Sequence, residues 1–184
     1  MKFYAGIGSR QTPKPVLELM TLIAKSLKET YVLRSGGALG ADTAFEIGAT
    51  PNAEIFLPWE GIERHVDTIP MKLSSTVSMQ AIEIAGQYHP RWGACSYYSK
   101  QFHGRNSMIM LGGDLHTPVE FVICWTPKGR IIGGTGQALR IAQAYNIPVY
   151  NLDDLELRKK IIENTSEPEL WLGEELNFYT MELT

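Results

Sequence analysis

The sequence predicts an α/β protein with a Rossmann-like three-layer sandwich and a mainly parallel five-stranded sheet. Strand-like apolar runs alternate with helical patterns along the chain, which is typical of a parallel sheet covered by helices. Glycine-rich segments follow three of these runs. Right-handed crossovers then predict the strand order 3-2-1-4-5, with the glycine loops together at the carboxyl edge, where the carboxyl ends of the strands lie.

The predicted strands are short runs bounded by turn residues. They cover Lys2 to Ala5, Tyr31 to Arg34, Glu54 to Leu57, Val119 to Trp125 and Pro148 to Leu152. The fourth run is almost wholly apolar, as expected for a central strand that is buried on both faces. Apolar residues at helical spacing predict helices after the first, second and fourth strands.

The stretch from about 61 to 115 does not follow this alternation and is predicted to be a helical excursion between the third and fourth strands. Its helical parts are Ser78 to Tyr88 and Tyr97 to Leu111. Long excursions in compact domains tend to carry binding residues, so we expect this one to fold over the carboxyl edge and to supply Arg105 and Asn106.

The chain of 184 residues, 44% of them hydrophobic, is large enough for one domain with its own core, and we assign residues 1–184 to a single domain. A C-terminal extension at about 155–184 is predicted to contain one amphipathic helix. The apolar residues that follow this helix are expected to pack back onto the domain. They are Trp171, Leu172, Leu176, Phe178 and Tyr179.

Charge and cysteine content exclude several classes of protein. The net charge of −3 gives no overall electrostatic attraction to nucleic acid, so any DNA binding must depend on a local basic pocket. Cys95 and Cys124 lie far apart without a metal-ligand spacing, which predicts reduced thiols, no disulfide and no metal site. With no signal peptide and no apolar run of ~18 residues, the sequence predicts a cytoplasmic protein without a membrane partner or a cofactor.

The glycine loops predict a site for an anion, most plausibly a phosphate. Each follows a strand and leads into a helix, so that backbone N–H groups and a positive helix end face the same ligand. The third loop lacks the Lys-Ser/Thr pair of a Walker A loop, and the first lacks the third glycine of a dinucleotide fingerprint. ATP hydrolysis and NAD-dependent oxidoreduction are therefore disfavoured.

Three arginines are candidates for bidentate phosphate binding, namely Arg10, Arg34 and Arg105. Serine and threonine hydroxyls beside the loops either add donors or cap helices, and Asp42 or Glu46 either contacts a ribose hydroxyl or has a structural role. The candidate binding residues are Gly8, Ser9, Arg10, Arg34, Ser35, Gly36, Gly37, Asp42, Arg105, Asn106, Gly133, Gly134, Thr135 and Gly136.

Four segments resemble the ordered motifs of the DprA/Smf family. They are Gly6 to Pro13, Ser35 to Asp42, Arg105 to Ile109 and Gly134 to Ala138. This family belongs to the SLOG group of Rossmann-like proteins, which also includes the LONELY GUY phosphoribohydrolases. The resemblance covers about residues 3 to 60 and 103 to 152, and it implies that ten residues border a pocket for an anionic nucleotide or a DNA phosphate. They are Gly8, Ser9, Arg10, Ser35, Gly36, Gly37, Arg105, Asn106, Gly134 and Gly136.

The chain departs from both relatives. We expect no winged-helix domain, and the chain lacks the basic balance that single-strand binding usually needs. Where LONELY GUY enzymes have a catalytic glutamate, this chain has residues 137–140, Gln-Ala-Leu-Arg. An aromatic-rich group in the excursion is either a stacking platform for bases or a packed cap. Its members are His89, Trp92, Tyr97, Tyr98, Phe102 and His103.

The first functional hypothesis is therefore phosphate-anchored binding of a nucleotide or a nucleotide-derived small molecule. One alternative is a DprA-like recombination mediator that binds single-stranded DNA. Another is a nucleoside-phosphate N-glycosidic hydrolase, in which Asp42, Glu46 or Glu120 would replace the missing acid. Whether the protein is an enzyme, and whether it forms a homo-oligomer, stays open.

Overall fold

Six strands form one parallel sheet in the computed structural model, which describes residues 1–172. The strands are β1 (Lys2–Gly8), β2 (Tyr31–Ser35), β3 (Ala53–Phe56), β4 (Lys72–Ser74), β5 (Phe121–Trp125) and β6 (Val149–Asn151). Their order is β4-β3-β2-β1-β5-β6. The predicted α/β class and the order of the five predicted strands are confirmed.

The prediction of five strands was one short, because β4 adds a sixth at the edge of the sheet beside β3. This strand has only three residues, and Lys72 and Leu73 are exposed, so it lacks the buried apolar pattern by which a strand is recognised in a sequence.

β1 is longer than predicted and includes the first two glycines of its motif. It pairs with β2 over Lys2 to Ala5 and with β5 over Tyr4 to Gly8. A Cβ atom at Gly6 would lie 2.5 Å from Cγ of Phe45, so glycine is needed there for packing. The loop therefore begins at Ser9, not at Gly6.

Helices cover both faces of the sheet. They are α1 (Lys14–Leu27), α2 (Ala41–Ala49), α3 (Met79–Tyr88), α4 (Tyr97–Leu111), α5 (Gly133–Ala144) and α6 (Leu155–Glu163). Alternate residues of the strands separate into two cores, one against α1, α2 and α6 and the other against α4 and α5. This gives the three layers of the predicted sandwich.

The C-terminal segment packs on the sheet as far as the structure describes it. Trp171 is fully buried, and its ring meets that of Tyr150 edge to face at 6.1 Å. Leu176, Phe178 and Tyr179 lie outside the described residues. Within residues 1–172, every helix is too short or too polar to cross a membrane.

Candidate phosphate-binding site

The carboxyl ends of β1, β2 and β5 lie side by side, because these strands are parallel neighbours. The N–H of Ser9 donates to the carbonyl oxygen of Trp125 at 3.1 Å, which ties the loop after β1 to the end of β5. A Cβ atom at Gly40 would lie 3.6 Å from Cα of Arg10, so the loops after β1 and β2 are also in contact. The glycine loops thus share one edge, as predicted.

Arg105 reaches this edge from α4. A Cβ atom at Gly36 would lie 1.4 Å from its Nη1, so the guanidinium occupies the space that a side chain at Gly36 would need. Nη1 also lies 3.6 Å from Oδ2 of Asp42, in the first turn of α2. The excursion therefore places Arg105 against the second glycine loop.

The guanidinium of Arg105 is incompletely paired. Its Nε and Nη1 atoms are buried and have no hydrogen-bond partner among the described residues. Burial lowers the pKa of Arg105, while Asp42 opposes this shift and Arg10 adds to it. An unpaired buried donor costs about 1–3 kcal/mol, so an acceptor that reaches this group would be favourable.

Asp42 is the carboxylate at this edge. Its Oδ2 accepts the N–H of Ala38 at 3.3 Å. Desolvation raises the pKa of Asp42, although the charge of Arg105 and the backbone N–H groups of Ala38 and Gly36 act in the opposite direction. The negative charge of this side chain is therefore only partly compensated.

The amino end of α5 is open. Asn106 Nδ2 donates to the carbonyl oxygen of Gly134 at 3.0 Å, which joins α4 to this helix end. No described side chain caps the helix, and a Cβ atom at Gly133 or Gly134 would meet nothing within 4 Å. Because the uncapped N–H groups and the helix dipole favour negative charge, this end suits an anion. Thr135, which is half-buried, lies in the same turn.

Two predicted binding residues lie in the interior instead. Ser35 Oγ donates to the carbonyl oxygen of Gly6 at 2.6 Å. Arg34 Nε donates to Oε2 of Glu54 at 2.8 Å, Nη1 donates to the carbonyl oxygen of Thr117, and the guanidinium lies 3.7 Å from the centre of the Phe3 ring. The structure does not bring these two side chains to the loops.

The remaining loop glycines fill tight places. A Cβ atom at Gly8 would lie 2.6 Å from Cβ of Ala41, and one at Gly136 would lie 2.5 Å from the backbone of Ile131. Gly37 has a φ of +64° and faces Leu57. Glycine at these positions allows loops and helices to pack closely. It also leaves the backbone at the carboxyl edge uncovered by side chains.

The carboxylates considered for N-glycosidic chemistry lie in different places. Glu46 is fully buried and contacts Arg64 and Thr68. Glu120 precedes β5, at the opposite edge of the sheet, and lies 3.8 Å from Lys2. Of these three acids, only Asp42 contacts a glycine loop.

The aromatic residues of the excursion form two clusters. In the first, the Trp59 ring meets those of Phe102 at 5.1 Å and Tyr98 at 5.5 Å. Tyr97 and Tyr98 are 69% and 64% exposed, and the Arg105 guanidinium lies 5.7 Å from the centre of the Phe102 ring. Sequence reasoning missed Trp59, which comes three residues after the end of β3 and precedes the excursion in the sequence. The second cluster contains His89, Trp92 and His103.

Comparison with known proteins shows the class of fold. No family model and no curated protein matches the chain. Among solved structures, it is similar to DNA processing protein A from Helicobacter pylori, in a structure described for its single-stranded DNA binding mode. The TM-score is 0.51 at 19% identity, over 90% of this chain and 73% of that one. The two proteins thus share a Rossmann-like fold.

Proposed function

We propose that the carboxyl edge binds single-stranded DNA by holding a phosphate between the glycine loops and Arg105. The observation that carries this proposal is the buried guanidinium, which lies against Gly36 with unpaired N–H donors. The fold similarity to a protein described as binding single-stranded DNA supports it. The meeting at this edge of residues from the four DprA/Smf-like segments also supports it, and we propose that the chain belongs to the DprA/Smf family of the SLOG group.

The phosphate would meet donors from three places. A tenth of the Arg105 side chain is exposed, and a guanidinium binds phosphate oxygens through two parallel N–H bonds. The exposed Arg10 lies near enough for its positive charge to lower the pKa of Arg105. The uncapped end of α5 adds backbone N–H groups at Gly133 and Gly134.

Bases on either side of this phosphate would stack on the first aromatic cluster. Tyr97 and Tyr98 present large exposed rings, and Phe102 lies 5.1 Å from the Trp59 ring and 5.7 Å from the Arg105 guanidinium. Stacking of a base on an aromatic side chain contributes about 1–3 kcal/mol and accepts every base. The proposed interaction is therefore strong at one phosphate and tolerant of sequence, which suits a role in DNA recombination.

A free nucleotide is the second candidate ligand. The net charge of −3 favours a ligand with one phosphate group over a long polyanion. Hydrolysis of its N-glycosidic bond would depend on Asp42, whose raised pKa is what a proton donor needs. Release of free base from nucleoside monophosphates tests that activity.

Fluorescence anisotropy of a labelled oligodeoxythymidylate, measured at several salt concentrations, tests the proposal. For the one phosphate that this site holds, we expect the logarithm of the binding constant to fall with a slope of about −0.7 against the logarithm of salt. Unlabelled single strands should compete well, and duplex DNA should compete poorly.

The matched control is Lys25→Ala, which removes a positive charge from the last turn of α1, at the opposite edge of the sheet. It should leave affinity unchanged, whereas Arg105→Met should weaken it. Tight binding of deoxythymidine monophosphate without binding of the oligonucleotide would favour the free nucleotide. No binding of either would overturn the proposed site.

A further inference from the structure

The second aromatic cluster contains three side chains with donors for a metal ion. His89, Cys95 and His103 each offer one ligand atom, and these atoms all lie within 4.8 Å of one another. Cys95 Sγ lies 3.7 Å from both ring nitrogens of His89. The rings of His89 and His103 have centroids 4.7 Å apart.

The fold of the excursion brings these side chains together. His89 follows the last residue of α3, Cys95 follows a short 3-10 helix (Trp92–Ala94), and His103 lies on α4. Five residues separate His89 from Cys95, and seven separate Cys95 from His103. This spacing matches no familiar zinc motif. The expectation of no metal site rested on the spacing of the two cysteines alone and did not consider His89 and His103.

The distances fit a tetrahedral ion. Zn–S and Zn–N bonds of about 2.3 and 2.05 Å at the tetrahedral angle place sulfur and nitrogen about 3.5–3.6 Å apart. The observed separation of 3.7 Å between Cys95 Sγ and the His89 nitrogens is within the adjustment of a side-chain rotation. The donor set has one sulfur and two imidazole nitrogens, a combination that zinc and related ions accept.

One of these donors has no other partner. His103 Nδ1 is buried and makes no hydrogen bond among the described residues. Cys95 itself is half-buried and reduced, so an ion has access to the sulfur. The Trp92 ring, with its centroid 5.8 Å from that of His89 and 6.1 Å from that of His103, shields one side of the cluster.

We propose that His89, Cys95 and His103 bind a divalent transition metal, with Zn²⁺ as the preferred ion, and leave its fourth position to water or to a ligand. Arg91 N–H donates to His89 Nδ1 at 3.2 Å. Coordination through Nδ1 would replace that hydrogen bond, and coordination through Nε2 would require the proton to move to Nδ1. The ion would fasten the end of α3 to α4, the helix that carries Arg105.

Titration of the chelator-treated full chain with Co²⁺ tests this site, because cobalt takes the place of zinc and is coloured. We expect one equivalent to bind with tetrahedral d–d bands and a thiolate-to-cobalt charge-transfer band, and Zn²⁺ to displace it. Since the thiolate and not the thiol binds metal, binding should also release a proton at neutral pH.

Three variants separate coordination from general binding. Cys95→Ser should lose the charge-transfer band, and His103→Asn should weaken Co²⁺ binding by more than about 100-fold, the upper end of what loss of an outer partner costs. His116→Gln, a change at an exposed histidine outside the cluster, should leave both unchanged. An absent band in the wild type, or a band that persists in Cys95→Ser, would overturn the proposal.

A further measurement needs no variant and so does not depend on the folding of one. Iodoacetamide should alkylate Cys95 slowly in the presence of Zn²⁺ and quickly after its removal, with Cys124 unreactive in both cases because it is fully buried. Equal rates of Cys95 alkylation with and without Zn²⁺ would count against the site.

Discussion

Arg34 and Arg105 are both buried arginines beside the same sheet, and their surroundings differ completely. Arg34 has a carboxylate at 2.8 Å, a backbone carbonyl and an aromatic face as partners. Arg105 has a carboxylate at 3.6 Å, and two of its nitrogens are buried without hydrogen-bond partners among residues 1–172. A guanidinium that is fully satisfied stabilises the fold, whereas one that is left partly unsatisfied is ready to bind an anion.

The position of each arginine in the chain explains the contrast. Arg34 lies within β2, where the register sets it opposite Glu54 on β3. Arg105 lies on α4, in the excursion, and its side chain contacts the second glycine loop. The acidic partner there is Asp42, in the first turn of α2, and its charge is only partly compensated. Strand pairing supplies a partner of fixed geometry, but the loop does not.

The largest expected effect is on stability, in Arg34→Met. This change leaves Glu54 buried with Lys72, at 3.7 Å, as its one counter-charge in the described part of the chain. We expect the free energy of unfolding to fall by about 3–5 kcal/mol, the usual result of breaking a buried pair. Urea unfolding followed by circular dichroism measures this free energy. A decrease below about 1 kcal/mol would contradict the structural role that we assign to Arg34 in contrast to Arg105.

Arg105→Met should mainly affect binding. We expect the affinity for an oligodeoxythymidylate to fall by about 1.5–3 kcal/mol, because a charge-assisted hydrogen bond is lost. The accompanying loss of stability should be smaller than in Arg34→Met and should be recovered in Arg105→Met/Asp42→Asn, which removes both charges. Anisotropy measures the affinity of these variants, and urea unfolding measures their stability, so the two effects can be separated. An unchanged affinity for the oligonucleotide in Arg105→Met would show that Arg105 is not part of the site.

Arg10 and Arg105 should act on one anion. Arg10→Ala should weaken binding about as much as Arg105→Met and leave the melting temperature of the free protein unchanged, because Arg10 is exposed. If both hold the same phosphate, the double variant should lose less than the sum, with a coupling of at least about 0.5 kcal/mol. Strict additivity in calorimetric titrations would place the two side chains on separate contacts.

Several features of the fold and the site could be read from the sequence. The glycine motifs and the alternation of patterns gave the sheet order, and Tyr97–Leu111 is the observed α4. β4 was missed because a three-residue exposed strand has no buried face. The pairing of Arg34 with Glu54 was missed because it depends on register between strands, which local patterns do not contain.

The sequence analysis grouped His89 with His103 as aromatic residues, but the convergence of Cys95 with these two histidines was missed for a related reason. It depends on how α3 packs against α4, and the residues are too far apart in sequence for a local motif. The burial of Ser35 likewise follows from the extension of β2 by one residue beyond the predicted end. Contacts between elements are what the sequence alone could not supply.

The smallest expected effect concerns Asp42 and pH. Burial raises the pKa of Asp42, so the folded state holds this proton more tightly than the unfolded chain does. Stability from this group should therefore fall as pH rises from about 3.9, the ordinary aspartate value, through the higher folded-state pKa.

Asp42→Asn removes this pH-dependent contribution. The variant should be more stable than the wild type near neutral pH, and its advantage should shrink as pH falls toward 4, in unfolding measurements across that range. A difference in the free energy of unfolding that stays constant with pH would show that Asp42 is fully compensated by Arg105.

The central claim is that Arg105 binds the phosphate of the DNA while Arg34 holds the fold, and the arginine side chains report it directly. In ¹H–¹⁵N spectra of the wild-type protein, with Nε–H signals assigned from Arg34→Met and Arg105→Met, an oligodeoxythymidylate is added in steps. We expect the Arg105 signal to shift and gain protection from exchange, and the Arg34 signal to stay where it is. An Arg105 signal that stays fixed while the oligonucleotide binds would contradict the account.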